Sequence, residues 1–342
     1  MIGYYVHHRG RGHLHRALCV ARHTDTPVTG LSSLPRPERW PGAWVRLPLD
    51  TGDGGAPEAD ATANGRLHWV PTRHRGLRDR MGAIADWTAR TAPSLFVSDV
   101  SVEVALLARL LGVPVVVAAM RGDRSDAAHR LGYDIADALL APWPADLPEP
   151  GWPSRWSAKT VHTGAFSRYD GRHDGDRAGS RAGDGRRRVL VVQGAGGSDL
   201  SDAQLTSAAA ASPGWRWDVL GGPGRPWDPD PWPRFLAADV VVTHAGQNAV
   251  AECAAARRPA VVIPQDRPHD EQRATARALH TAGLAVVRPC WPPADEWPQV
   301  LDLAVRTGQR WDRWAPGDGA RHAALLLDRL AARTPEADGL CV

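Results

Sequence analysis

Short apolar runs alternate with stretches of helical spacing along the first half of the chain. Ile2–Val6 predicts a strand, Gly10–His23 a helix entered through a glycine turn, and Pro27–Leu31 and Trp44–Leu47 two further short strands. Leu77–Thr91 has helical spacing, Ser94–Val97 is apolar, Val102–Leu111 is helical again, and Val113–Ala119 is an almost unbroken β-branched run. Runs without alternation suit strands buried on both faces, as in a parallel sheet between helical layers. Strand, helix, strand in repetition predicts a doubly wound α/β domain.

The pattern lapses over Asp170–Arg188, where DGRHDGDRAGSRAGDGRRR has almost no apolar content. Such a stretch cannot bury a core and reads as a flexible linker. Its interspersed aspartates argue against an arm for nucleic acid. Beyond it the alternation restarts: Val189–Val192 as strand, GAGG (194–197) as turn, Gln204–Ala211 as helix and Trp217–Leu220 as strand. Asp239–Thr243, Gln247–Ala256, Pro259–Ile263 and Asp270–Ala282 then give strand, helix, strand, helix, and Ala320–Ala332 a last amphipathic helix. The expected division is a first α/β domain at 1–164, a linker at 165–188 and a second α/β domain at 189–335.

Composition narrows the function. The 41 basic and 38 acidic residues leave a formal net charge of only +3, so no polyanionic partner such as nucleic acid is implied. Cys19, Cys253, Cys290 and Cys341 form no CxxC pair, which removes zinc-ligand spacing and a disulfide framework. No apolar run reaches membrane-spanning length, since the longest, around Val104–Met120, is broken by Arg109. The first residues lack the layout of a secretory signal, so the expected location is the cytoplasm.

Three motifs carry candidate chemistry. HHRGRGHLHR (7–16) follows the first strand, and Gly10 and Gly12 permit a tight turn at a helix start that favours an anion such as phosphate. His13, at that start, is placed to bond a phosphate or to take a proton from a hydroxyl. His7, His8, His13 and His15 suggest a metal, but a strand-to-turn path scatters such side chains, so none is expected. GAGG, with Gly194 and Gly196, repeats the turn in the second domain. The third motif, VVVTHAGQNAVAECAAARRPAVVIPQDRPHDEQ (240–272), is the most specific. Gly246 lets a phosphate approach the backbone after His244, and the amides of Gln247 and Asn248 open the next helix toward it. Glu252, one helical turn beyond Asn248, is suited to accept from the two neighbouring hydroxyls of a ribose. Asp270, Glu271 and Gln272 are candidates to read sugar hydroxyls. Asp270 is equally readable as a helix N-cap.

Residues 240–283 resemble the donor-binding half of GT-B glycosyltransferases, in the group sharing its C-terminal domain with the peptidoglycan N-acetylglucosamine transferase that makes lipid II. Asp239, Ala245, Gly246, Glu252, Pro264, Asp270 and Gln272 match in order, and Gly10-Arg11-Gly12-His13 with Arg16 resembles that group's GxGHxxR loop. The resemblance implies two Rossmann-like parallel-sheet domains facing across a cleft. It also implies Glu252 on the nucleotide ribose, the His244–Gly246 turn on the diphosphate and Gln272 on the donor sugar. Thr275 stands where the group has Asn. The expected reaction is metal-independent, inverting transfer of a hexose or N-acetylhexosamine from a nucleotide-sugar, UDP-linked, to the hydroxyl of an unidentified acceptor. No cofactor is expected. His13 is the first candidate base, and Asp99, after LFVS, is a second base, an orienter of His13 or a helix N-cap. Arg121 is a candidate contact for an anionic acceptor, and tryptophans beside prolines (Trp40, Trp143, Trp152, Trp227, Trp232) are acceptor-groove or core residues. Asp228-Pro229-Asp230 lies in a proline-rich loop and reads as structural. A nucleotide-sugar hydrolase, a 2-epimerase and a non-catalytic nucleotide-sugar binder are alternatives on the same fold.

Overall fold

The computed structural model describes residues 1–51, 60–172, 185–194, 200–226, 228–307 and 310–333. Two all-parallel sheets form, one in each half of the chain. The first contains β1 (Ile2–Tyr5), β2 (Val28–Ser32), β3 (Trp44–Arg46), β4 (Leu95–Asp99), β5 (Val115–Ala118), β6 (Ala138–Ala141) and β7 (Thr160–His162), in spatial order β3-β2-β1-β4-β5-β6-β7. The second contains β8 (Arg187–Val192), β9 (Trp215–Leu220), β10 (Val240–Thr243), β11 (Ala260–Val262) and β12 (Val286–Val287), in order β12-β11-β10-β8-β9. The central strands β1, β4, β5 and β10 are buried at every residue, as expected of strands covered on both faces.

The last helix crosses from the second lobe back to the first. Helix Gly319–Ala331 returns to the first sheet, where Ala323, Ala324 and Leu327 are fully buried among Ile2, Tyr4 and Val97. Asp328 fastens the crossing by accepting from the amides of Asp25 (3.0 Å) and Thr26 (2.9 Å). The end of the expected 189–335 domain is therefore part of the first lobe's core.

The linker expectation also needs correction at both ends. Phe166 and Tyr169 are buried, and Tyr169 stacks on Trp232 of the second lobe with ring centroids 4.7 Å apart. β8 begins at Arg187 because its backbone pairs with β9 from Arg187↔Trp215 onward. Of the expected flexible stretch, residues 173–184 lie outside the described set. The short strands β6 and β7 and the helices Ala127–Ile135 and Trp297–Arg306 have no counterpart in the sequence reading. Runs of three or four apolar residues carry no resolvable period, and the second of those helices opens on a Trp-Pro pair that reads as loop.

Candidate active site at two facing helix starts

In each sheet the strand order reverses once, and in open parallel sheets a crevice forms beyond the strand ends at that point. In the first sheet the reversal falls between β1 and β4, in the second between β8 and β10. The segments leaving those four strands are the ones the sequence singled out: His7–Gly12, Asp99–Ser101, Gln193–Gly194 and His244–Gly246. Gly10 takes φ +79°, a left-handed conformation that lets the chain turn into helix Gly12–Ala21.

That helix start meets the start of helix Gln247–Ala255 from the other lobe. Asn248 Nδ2 donates to the Gly12 carbonyl at 3.0 Å, and the Arg16 guanidinium donates to Gln247 Oε1. The first-turn amides of an α-helix have no partner within the helix, and its dipole makes that end positive. Two such ends side by side form a setting for an anion.

His13 Nδ1 lies 2.9 Å from Asp99 Oδ1. Asp99 is fully buried, and Arg16 binds both of its carboxylate oxygens, through Nε at 3.1 Å and through Nη2. Burial alone would raise the Asp99 pKa, but the Arg16 charge and the hydrogen bonds from His13 and Arg16 outweigh it and hold the carboxyl well below the usual range. An ionised Asp99 accepts hydrogen bonds only, so the imidazole carries its proton on Nδ1 and presents Nε2 as a lone pair. The N-cap of the next helix is Ser101, which accepts from Val104 N at 3.3 Å, so Asp99 is not that cap.

In the second lobe the His244 ring is wedged between two glycines. Its Nδ1 accepts from Gly246 N at 2.9 Å. A Cβ on Gly246 would stand 2.4 Å from the ring, and one on Gly194 would stand 2.6 Å from Nε2. Gly246 has φ −69°, which any residue adopts, so glycine is required there to clear the ring and not for backbone freedom. Burial, reinforced by Arg267, lowers the His244 pKa to about 4 and keeps the ring neutral, as an accepting Nδ1 requires. Gly196 lies outside the described residues.

Glu252 is buried and pairs with Arg168 Nε at 2.9 Å. Burial raises its pKa and Arg168 opposes that rise. Gln272 is buried too, and its Oε1 accepts from Ala245 N (3.1 Å) and Gln265 N (3.0 Å), bracing the turn after β10 against the loop after β11. Glu271 lines a cavity of about 370 Å³ together with His7, His13, Arg124 and Tyr133. Asp270 does not join them. It lines a separate groove with Gly122, Trp152 and Arg277, and it stands at the N-cap position of helix Glu271–Thr281 without a side-chain cap bond.

Arg121 lines a small pocket with Gly246 and Gln247 at the second helix start. It is buried between Trp143 and Trp314 and paired with Glu149 at 3.1 Å, which uses its charge inside the fold. Trp40, Trp143 and Trp232 are core residues at 2% exposure; Trp227 lies outside the described residues. A further cavity of about 270 Å³ adjoins His7 and His8, with Trp69, Asp50 and Arg80 in its wall. In the second lobe a cavity of about 430 Å³ opens at the ends of β8, β10 and β11. Gln193 and Thr243 line it, and their buried side-chain polar atoms have no partner among the described residues. Arg168, Gln193 and Thr243 were not foreseen, since each is an isolated polar residue beside an apolar strand or inside an apparent linker. No helix among the described residues is long and apolar enough to cross a membrane.

Residues 232–289 match the glycosyltransferase family 28 C-terminal domain. A 94-residue stretch is 32% identical to an uncharacterized glycosyltransferase of Methanopyrus kandleri, covering 26% of each chain. A 156-residue stretch is 34% identical to the UDP-N-acetylglucosamine–N-acetylmuramyl-(pentapeptide) pyrophosphoryl-undecaprenol N-acetylglucosamine transferase of a Methylobacterium species, covering 44% of this chain and 39% of that one. The chain thus matches about two fifths or less of these relatives' own length. Similarity to solved structures runs through both lobes. The kitacinnamycin glycotransferase superposes with TM-score 0.66 at 17% identity, over 96% of this chain and 98% of that one. MurG of Acinetobacter baumannii superposes with TM-score 0.61 at 17% identity, over 96% and 99%. The chain has the GT-B glycosyltransferase fold, and residues 232–289 of its second lobe match the glycosyltransferase family 28 C-terminal domain.

Proposed function

We propose that the protein transfers a hexose or N-acetylhexosamine from a nucleoside-diphosphate sugar, UDP-linked, to an acceptor hydroxyl, inverting the anomeric carbon and using no metal on the diphosphate. The observation that carries this reading is the junction of the two helix starts, Asn248 on Gly12 and Arg16 on Gln247. It turns two sets of unsatisfied amides toward one gap, where they stabilise a leaving diphosphate without a cation. The His13–Asp99 contact supports His13 as base and Asp99 as its orienter. An acceptor in the 370 Å³ cavity gives its proton to His13 Nε2 as its oxygen attacks the anomeric carbon. The bond from that carbon to the diphosphate breaks in the same displacement, which inverts the centre. Glu252 is assigned to the ribose, with Arg168 opposing the upward pKa shift that burial imposes on it, and Gln272 to the donor sugar through its amide nitrogen. Two curated relatives support UDP by name. Spinosyn rhamnosyltransferase SpnG and glycosyltransferase SsfS6, similar in fold, were solved with thymidine diphosphate. A cytoplasmic supply of nucleotide-sugar fits this chemistry.

The test is calorimetric titration of UDP and thymidine diphosphate into wild type and Glu252→Ala. Loss of hydrogen bonds to a charged acceptor should weaken UDP about 10–100-fold. If neither nucleotide binds wild type, the function is wrong; if Glu252→Ala binds as wild type does, the ribose assignment is wrong. Incubation of UDP-sugar without acceptor separates transfer from hydrolysis by the free sugar released.

A further inference from the structure

Four side chains outside the proposed mechanism converge beside the His13 cavity, and three of them, His68, His129 and His269, line its wall. His68 comes from the segment before helix Arg75–Thr91, Asp126 and His129 from the start of helix Ala127–Ile135, and His269 from the second lobe, in the loop entering helix Glu271–Thr281. One donor atom from each lies within 4.8 Å of all the others. His68 Nε2 stands 3.2 Å from Asp126 Oδ1 and His269 Nδ1 3.7 Å from Asp126 Oδ2, while His129 Nδ1 is hydrogen-bonded to Oδ2. The ring centroids of His129 are 4.4 Å from those of His68 and 4.5 Å from those of His269. Four ligand atoms at tetrahedral positions about 2.0–2.2 Å from a zinc ion are roughly 3.4 Å apart. The spacing found here contracts onto that geometry with small side-chain rotations.

We propose that His68, Asp126, His129 and His269 bind a divalent transition-metal ion of the zinc class, and that this ion ties the two lobes together. Three imidazoles and one carboxylate are a donor set suited to such an ion. The backbone supports a built position for His269. His269 and Asp270 take left-handed φ of +62° and +54°, a conformation uncommon for non-glycine residues. The His269 carbonyl accepts from Asp123 N at 2.8 Å, and a Cβ on Gly122 would come within 2.1 Å of that oxygen. The crossing loop is thus seated by backbone contacts that deliver the fourth ligand to three ligands of the first lobe.

A plain helix cap accounts for only half of the cluster. Asp126 accepts from His129 N at 3.0 Å as the N-cap, but that gives no reason for two more imidazoles, about one third exposed, to arrive from distant segments. Arg124 is the competing cation, with Nη1 3.3 Å from His129 Nε2. Metal on Nδ1 places the proton on Nε2, so Arg124 must release His129 and keep the Arg121 carbonyl (2.6 Å) and Glu271 (3.8 Å). The ion takes no part in the sugar-transfer step.

The experiment uses the full-length protein stripped with chelator and titrated with Co²⁺, then Zn²⁺. The expected result is one equivalent of Co²⁺ with the intense visible absorption of four-coordinate cobalt, displaced by Zn²⁺, and a higher melting temperature with metal. His68→Ala and His269→Ala, both at partly exposed positions, should each weaken binding by at least the roughly 10–100-fold that loss of an outer-shell partner costs. Melting of the metal-free variants at the wild-type temperature certifies their folding. Absence of stoichiometric binding, a six-coordinate spectrum or unchanged affinity in both variants overturns the site. Loss in His68→Ala with full retention in His269→Ala overturns the tie between lobes.

Discussion

His13 and Asp99 lie 86 residues apart in sequence and 2.9 Å apart in space. The carboxylate fixes the imidazole tautomer, and Arg16 fixes the carboxylate. On the proposed mechanism, catalytic power and fold stability share one buried group, and substitution can separate them. His13→Ala leaves the Asp99–Arg16 pair intact, so UDP affinity and melting temperature should stay near wild type while transfer falls about 10²–10⁴-fold. Asp99→Asn should lose similar activity and also stability, on the order of 3–5 kcal/mol, because it removes the charge that neutralises buried Arg16. Steady-state kinetics beside urea unfolding distinguishes the two; equal stability loss in both variants would contradict the assignment.

Glu252 and Arg168 are expected to couple. Arg168→Ala removes the charge that opposes the upward pKa shift imposed by burial on Glu252. The variant should be less stable by about 1–3 kcal/mol, as a buried group loses its partner. In the Glu252→Gln background the same substitution should cost less. A double-mutant cycle by denaturant unfolding measures the difference, and strict additivity would deny the pairing.

Gly194 and Gly246 are expected to depend on His244. Gly246→Ala in wild type drives Cβ into the ring, 2.4 Å away, and should displace the turn that holds the amides of Gln247 and Asn248. Nucleotide affinity should drop roughly tenfold or more as the anion site loses alignment. In a His244→Ala background the ring is gone and Gly246→Ala should be nearly silent. Equal losses in both backgrounds would show that Gly246 serves another purpose.

The pH dependence of stability carries the signature of the same histidine. The His244 pKa falls from 6.5 to about 4 on folding, so the unfolded chain binds a proton that the folded chain refuses between those values. This contribution is complete above about pH 6.5 and is lost as pH falls toward 4. Asp170, raised by burial to about 6, acts in the opposite sense: its contribution is present below 3.8 and is lost as pH rises through 6. Urea midpoints from pH 4 to 7 should slope upward less steeply in His244→Gln than in wild type, and more steeply in Asp170→Asn.

The two doubly wound lobes were legible because their strands are long enough, or apolar enough, to fix a period. Val113–Ala119 and Val240–Thr243 are buried almost throughout, and an unalternating β-branched run has few other fates. The turns at Gly10–His13 and His244–Gly246 were legible for a related reason: a glycine between a strand and a helix marks a backbone close approach. The four-residue β6 and the packed segment 165–172 were not legible, because Phe166 and Tyr169 are lone aromatics beside a polar run.

The sequence by itself determined the longer strands and helices of clear hydrophobic period, and which helix starts are bare of side-chain bulk. Local sterics and hydrophobic period decide those matters within a dozen residues. Only the tertiary structure decided which side chains meet: His13 with Asp99, Glu252 with Arg168, Gln272 with the backbone of two loops, and His269 with His68, Asp126 and His129. Such pairings depend on strand order and on how one lobe is set against the other. No spacing in the chain records them, because contact energy depends on distance in space and the residues concerned are tens to hundreds of positions apart.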